Sequence, residues 1–391
     1  MKKPPALGII LILLIALVAG VAGDSGMVIT EIQLTTDPAT QSNPDVDGIQ
    51  VVYQDNRNGN WDIYLFTLQG TFTPETRITN DTHDQMAPKI NGNRIVYQDN
   101  RNSDVETGRH WDIYLYDLVD KTETRITNNS ATQQNPAMYG NRIVWEDNRN
   151  GHWDIYLYDL VSGNETRLTF SGTNNRHPAI YGDRVVYTKE TEDSLGYPVH
   201  NIYRIDLPGT QETFVSQLRW TFMDPNILPL PAIYANRVVY ENEDLYFDEG
   251  FLWNDPNIHM KDLSTGGLWK TSNLAYQMHP DISDYYLVYQ DNRNGNWDIY
   301  LFHLDRLTET QVTNNTASQS NPAVSNGYLV YQDERNGNTD IYLSIIGYVP
   351  TQPAPGTPPG SDSASDRGSL YVASNPKGAT ILINGTDYGT T

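Results

Sequence analysis

Apolar and polar positions alternate in short runs along most of the chain, and these runs recur in groups of four. In one group, β-branched and aromatic residues fall at 136–139, 142–146, 154–160 and 165–169, separated by Gly, Asn and Asp. Runs of this kind predict short β-strands joined by turns, and no helical period competes with them. We call the four strands a, b, c and d, in chain order.

One phrase returns across nearly the whole region: Val-Tyr-Gln-Asp-Asn-Arg-Asn-Gly-Asn-Trp-Asp-Ile-Tyr-Leu. It stands at 52–65 and 288–301, with close variants at 96–115, 144–157 and 330–343. Two divergent copies of the phrase begin at Val186 and Val239. Four strands in every 40 to 50 residues or so is typical of a β-propeller blade. One proline opens each unit, which predicts seven blades: Pro44, Pro88, Pro136, Pro178, Pro231, Pro280 and Pro322.

The seventh unit has no strand d of its own, whereas residues 31–36 match the strand d segment 75–80 without preceding strands. We therefore predict an all-β fold, a seven-bladed β-propeller of four-stranded blades whose ring is closed by the N-terminal strand. Closure removes the exposed sheet edges that invite aggregation. The predicted domains are a signal peptide at 1–23, the propeller at 24–348, a Pro/Gly/Ser-rich linker at 349–367 and a short β fragment at 368–391.

The N-terminus has the layout of a signal peptide. Lys2 and Lys3 precede an apolar stretch at 6–19, which ends in small residues up to Gly23. This layout predicts export to the cell surface, the periplasm or the extracellular space. Cleavage near Gly23 would leave no membrane span. The alternative is an uncleaved segment that is just long enough to span a bilayer.

The amino-acid composition restricts the classes of partner and of chemistry that the chain can support. The 391 residues carry a net charge of −22, which disfavours nucleic acid because that partner requires clustered cations. The absence of cysteine excludes disulfides, thiol nucleophiles and thiolate metal sites. No Gly-x-Ser-x-Gly or His-Glu-x-x-His motif occurs, which favours a protein that is not an enzyme. Paired carboxylates drawn from distant blades, as in glycoside hydrolysis, remain an alternative.

The repeated Asp-Asn-Arg-Asn-Gly-Asn-Trp-Asp-Ile-Tyr resembles the repeat of TolB-like and WD40-like periplasmic and surface propellers. That resemblance covers residues 28–348 and implies a propeller that commonly binds protein or glycan. Residues 368–385 resemble the start of a PEGA domain, a small β module of surface-layer and other envelope proteins.

The turn between strands b and c has two interpretations. Asp55, Asn56 and Gly59 suit a structural turn, in which Arg57 bridges to an acidic group, expected in the neighbouring blade. The alternative is a calcium loop, although a cation at the third position opposes it. No other cofactor is predicted. Tyr64, Trp61 and Trp153 recur at fixed positions and are expected to pack between blades.

Blades four and five break the repeat, and residues freed from a structural consensus are candidates for function. Their b-to-c segments, 188–200 and 241–257, and the loop between these blades should share one face. Either they are drifted loops or they form an acidic, aromatic binding patch. The candidate binding residues are Tyr197, Trp220, Phe222, Tyr246, Phe247, Phe251 and Trp253.

His177 and His279 replace the asparagine that precedes the strand a proline in other blades, so both are expected at the central channel. They are weak metal candidates, with His83 as a third ligand, and hydrogen bonding is the simpler role. The first functional hypothesis is an exported envelope propeller that binds glycan or protein without catalysis. The alternatives are a polysaccharide lyase or hydrolase at the channel mouth, and a pure scaffold.

Overall fold

The computed structural model describes residues 27–68, 75–103, 110–192, 198–218, 229–248, 251–272, 275–348, 380–383 and 386–390. The predicted signal peptide and linker lie outside these ranges. The described strands fall into two units, one within residues 1–349 and one within 350–391. Nowhere in the described ranges does a helix have the length and apolar character needed to cross a membrane.

In chain order the strands are β1 Met27–Gln33, β2 Gln41–Asp47, β3 Gln50–Asp55, β4 Asp62–Thr67, β5 Thr76–Arg77, β6 Gln85–Asn91, β7 Arg94–Asp99, β8 Asp112–Asp117, β9 Thr122–Arg125, β10 Gln133–Tyr139, β11 Arg142–Asp147, β12 Asp154–Asp159, β13 Asn164–Arg167, β14 Asn175–Tyr181, β15 Arg184–Glu192, β16 Pro198–Asp206, β17 Glu212–Gln217, β18 Ala232–Tyr234, β19 Arg237–Asp248, β20 Phe251–Asp262, β21 Leu268–Lys270, β22 Gln277–Ile282, β23 Tyr286–Asp291, β24 Asp298–His303, β25 Thr308–Gln311, β26 Gln319–Ser325, β27 Tyr328–Asp333, β28 Asp340–Tyr348, β29 Thr380–Ile383 and β30 Thr386–Thr390.

Seven antiparallel four-stranded sheets confirm the predicted blades. Blades one to six are β2–β5, β6–β9, β10–β13, β14–β17, β18–β21 and β22–β25. Blade seven combines β26, β27 and β28 with β1, so the N-terminal strand supplies the missing strand d. β1 pairs with β28 from Met27 opposite Tyr348 to Gln33 opposite Tyr342, which confirms the predicted ring closure. The second unit is the two-stranded pair β29–β30.

The core lies between blades. Seven clusters of buried residues each combine side chains from two neighbouring blades, including one that joins blades seven and one. Val51, Val52 and Tyr53 are consecutive on strand b and have no exposed surface. Both faces of this strand are buried because a blade packs against a neighbour on each side. Strand b is therefore continuously apolar and does not alternate, as is usual for strands covered on both faces.

Candidate functional site

The seven a strands line a central channel with a volume of about 680 Å³. Each strand a starts at the channel end that carries the d-to-a connections and b-to-c turns, which we call the b–c face. It ends at the opposite end, among the a-to-b turns, which we call the a–b face. The channel and the two faces are the places where this fold presents side chains to a ligand.

At the b–c end of the channel, strand a carries a bulge just before its proline in every blade except blade five. The residue at this bulge has a φ between 50° and 52°, the left-handed region; these residues are Asn43, Ala87, Asn135, His177, His279 and Asn321. Its N–H turns toward the preceding blade and donates to a strand b side chain there. Ala87 N–H, for example, donates to Gln54 Oε1 at 2.9 Å. The bulges thus link the blades into a ring.

His177 lines the channel, as predicted, and it faces a buried glutamate. The strand b acceptor is Gln in four blades but Glu146 before His177. Glu146 has no exposed surface and accepts from His177 N–H at 2.7 Å, from Asn135 Nδ2 at 3.0 Å and from Arg176 Nε at 3.1 Å. Burial lowers the pKa of His177, opposed by the charge of Glu146, so the imidazole is neutral near pH 7.

His279 repeats this arrangement with Glu241. The buried Glu241 Oε1 accepts from His279 N–H at 2.6 Å, while the His279 ring contacts Asn321 Oδ1. Burial raises the pKa of Glu241. The predicted third ligand, His83, lies outside the channel lining and pairs with Asp81 at 2.7 Å. Within the described ranges no group of three His, Cys, Asp or Glu side chains is placed to hold a metal ion.

Mid-channel, the Lys89 ammonium pairs with Asp45 at 3.2 Å, and the charge of Asp45 raises the pKa of Lys89. Asp281 accepts from Val324 N–H at 2.8 Å, and burial raises its pKa to about 6. The channel therefore holds more carboxylates than cations.

In the repeated b-to-c turn, one arginine joins the turn to the segment before strand d; we call this arrangement the clasp. Arg57 binds Asp55 through Nε at 2.8 Å and Glu75 through Nη1 at 2.5 Å, and it lies 4.5 Å over the Tyr64 ring. Glu75 also accepts from the Tyr53 hydroxyl. Glu75 precedes strand d of the same blade, so the expected bridge to the neighbouring blade was wrong.

The clasp also bears on the calcium alternative. Asp55 has no exposed surface, and both of its carboxylate oxygens accept from Arg57, including the backbone N–H at 2.7 Å. The guanidinium occupies the position that a cation would take. Tyr64 is buried as predicted, whereas Trp61 and Trp153 are only partly buried, and Arg176 lies 4.7 Å over the Trp153 ring.

Blades four and five lack this short turn. Their b and c strands instead continue pairing and form longer hairpins. In blade one the b–c ladder ends at Asp55 opposite Asp62. In blade four it ends at Glu192 opposite Pro198, three residue pairs further out. In blade five it continues to Asp248 opposite Phe251, six pairs beyond the equivalent position, or about 20 Å at 3.3 Å per residue. The segments expected to be loops are therefore β-ribbons that project from the b–c face of adjacent blades.

Four predicted binding residues lie in the last three pairs of the blade five hairpin. Tyr246 stands opposite Trp253, Phe247 opposite Leu252, and Phe251 opposite Asp248. Tyr197, Trp220 and Phe222 lie outside the described residues. Sequence reasoning missed the glutamates that face the two histidines. A change from Gln to Glu at one repeat position was the signal available for them.

A search of curated protein sequences finds no match. Residues 367–391 match the PEGA domain model, which confirms that predicted resemblance. The propeller is similar to an oligogalacturonate lyase in complex with manganese, at 16% identity, 83% coverage of this chain, 95% of that chain and a TM-score of 0.58. The β-propeller domain of the Trilobed protease from Pyrococcus furiosus is 12% identical, covers 78% of this chain and 95% of its own, and has a TM-score of 0.58.

A TolB from Acinetobacter baumannii is 16% identical over 82% of this chain and 80% of its own, with a TM-score of 0.43. The β-propeller fold that the resemblance implied is confirmed by the similarity to the lyase and to the Trilobed protease propeller. The Trilobed protease propeller is described as having an open velcro topology, whereas β1 closes the ring here.

Proposed function

We propose that this chain is an exported, non-catalytic binding module of the cell envelope, which engages a glycan or a protein through the two projecting hairpins. The observation that carries the proposal is the blade five ribbon, which extends the sheet by six residue pairs and bears four aromatic residues in its last three pairs. Aromatic residues raised above a surface supply large contact area at low entropic cost, and such residues dominate binding energy.

The repeat itself supports this assignment. In blade one, Arg57 occupies the turn and ties it to strand d, so the turn is committed to the fold. In blade five the position equivalent to Glu75 is Leu268, so the clasp that would shorten the turn is lost. Blade five therefore departs from the repeat both in the length of its b–c ladder and at the strand d position that holds the turn in blade one.

The hydrogen bonds of the two channel histidines support a binding function over a catalytic one. The channel histidines donate their backbone N–H groups to Glu146 and Glu241, so both carboxylates hold neighbouring blades together. Export is supported by the lysines and apolar stretch of the N-terminus. The PEGA match at 367–391 supports an envelope location. The similarity to an oligogalacturonate lyase concerns the fold alone.

A hairpin exchange tests the proposal. Residues 242–257 are replaced by residues 55–62, the turn of blade one, and Leu268→Glu supplies the strand d acceptor that the arginine of this turn binds. Wild-type full chain and the exchange variant are compared on a glycan array and on immobilised envelope proteins. We expect binding by wild type and a loss of at least about tenfold in the variant, because the aromatic tip is removed.

Two point variants supply the matched control. Trp253→Ala should weaken binding, whereas Phe214→Ala, an exposed aromatic on strand d of blade four, should leave it unchanged. Equal binding of every glycan and every protein by wild type and a well-folded exchange variant would contradict the proposal.

A further inference from the structure

Three tyrosines form a continuous arc at the a–b end of the channel. Tyr139, Tyr181 and Tyr234 are the last residues of strand a in blades three, four and five, and all three line the channel. Their ring centroids are 4.6 and 4.5 Å apart, with interplanar angles of 43° and 49°. A seven-bladed ring turns by about 51° per blade, so each ring keeps nearly the same orientation on its own blade. We call these residues the tyrosine arc.

The remaining blades place short polar side chains at the corresponding positions. Blades one, two and seven end strand a with Asp47, Asn91 and Ser325, and blade six has Ser283 immediately after its strand a. All four line the same channel. This end of the channel therefore has one aromatic wall and one wall of hydroxyl, amide and carboxylate groups.

Contact between neighbouring rings orders the arc, because the Tyr181 ring packs against Tyr139 on one side and Tyr234 on the other. The neighbouring Tyr181 hydroxyl raises the pKa of Tyr139, and burial raises that of Tyr234, so both phenols are protonated at neutral pH. Because the rings are held in place before any ligand arrives, little side-chain entropy is lost on binding.

The charge of the channel restricts the ligand further. Lys89 is already paired with Asp45, and Asp47, Asp281 and Asp284 add carboxylates without a second lysine or arginine in the lining. A ligand that carries carboxylates of its own is repelled from such a site. An uncharged chain meets no such repulsion.

We propose that the tyrosine arc is a binding site for an uncharged saccharide, separate from the hairpins of blades four and five. Aromatic rings pack against the C–H faces of a sugar ring, and the Asp, Asn and Ser side chains opposite hydrogen-bond its hydroxyl groups. The arc forms one wall at the end of a channel whose whole volume is about 680 Å³, within the usual range for a small-molecule site.

Calorimetric titration of the full chain tests this site with three neutral probes, N-acetylchitohexaose, cellohexaose and maltohexaose, and with hexagalacturonate as the acidic comparator. We expect at least one neutral probe to bind and hexagalacturonate not to bind. Tyr181→Ser introduces the residue type that blades six and seven carry here, and it should weaken binding by about tenfold or more. Ser325→Tyr leaves the arc intact but narrows the opposite wall, and it should also weaken binding.

Tyr285→Ser is the control, because Tyr285 is exposed in a turn of the same face and lies outside the channel lining. It should bind like wild type. The hairpin exchange variant should also bind like wild type, which separates this site from the proposed function. Each of four results would overturn the proposal of a saccharide site. They are no binding of the neutral probes, equal binding of hexagalacturonate, affinity retained in both channel variants, or loss of binding in the hairpin exchange variant.

Discussion

One ion pair helps to hold β1 in blade seven, in addition to the backbone ladder that pairs β1 with β28. Glu31 on β1 accepts from Arg335 Nη1 at 2.6 Å and from the Tyr331 hydroxyl at 2.7 Å. Both charged side chains are only 23% exposed, and Tyr331 is fully buried. Glu31→Ala removes these charge-assisted bonds and takes the main acceptor from a buried hydroxyl. We expect β1 to lose about 2–4 kcal/mol of local stability.

Blade one contains the matched control. Glu75 makes the same contacts with Arg57 and Tyr53, but it precedes a two-residue strand at the outer edge and does not close the ring. Glu75→Ala should cost a similar amount locally without opening the propeller. The two variants differ only in what their strand does for the ring.

Hydrogen exchange measured by mass spectrometry separates them. In Glu31→Ala the amides of β1 should exchange about 30-fold to several-hundred-fold faster, with a lowered Tm, because 1.4 kcal/mol corresponds to about a factor of ten. In Glu75→Ala the protection of β1 should match wild type. Unchanged β1 protection in the first variant, or equal β1 exposure in both, would show that Glu31 does not hold β1 in the ring.

Three further predictions concern the channel and the turns. In the folded chain the pKa of Asp281 is raised to about 6 from its ordinary 3.8. The folded chain therefore binds the carboxyl proton of Asp281 more tightly than the unfolded chain does. The free energy of unfolding consequently falls as pH rises from about 4 to 6. Asp281→Asn should remove that fall and gain about 1–2 kcal/mol at pH 7, measured by thermal unfolding at pH 4.5 and 7; a pH profile like that of wild type would contradict it. His177→Asn and His279→Asn introduce the residue that three other blades place at the same left-handed position, so each Tm should equal or exceed that of wild type, and a clear drop would indicate a role beyond the bulge. Addition or chelation of calcium should leave Tm unchanged, because Arg57 already occupies the turn oxygens; a calcium-dependent rise would show otherwise.

The blade number and the closing strand were predictable because each repeat carries the residues that make its own strands and turns. In blade three, strand a starts at Gln133, three residues earlier than expected. The bulge at Asn135 allows strand a to pair with strand b on the N-terminal side of Pro136 as well. A bulge of this kind depends on an acceptor in the preceding blade. The local pattern carries no signal for it.

The site was harder to predict, because its geometry depends on contacts between distant positions. The pairing that turns the blade five segment into a ribbon joins Glu243 to Pro256 and continues to the tip. The break in the repeat had suggested a loop there. Tyr181 was missed because a tyrosine at the end of a strand is indistinguishable in sequence from a packing residue. Only the ring of blades brings it beside its two neighbours.

Binding without catalysis through the hairpins of blades four and five can be tested in one experiment. Envelope polysaccharides and envelope proteins are incubated with the full chain, with and without chelator, and retention and cleavage products are recorded in the same samples. We expect retention without products, and the hairpin exchange variant should lose at least one of the retained ligands. Products that disappear with chelator or in His279→Ala would contradict it.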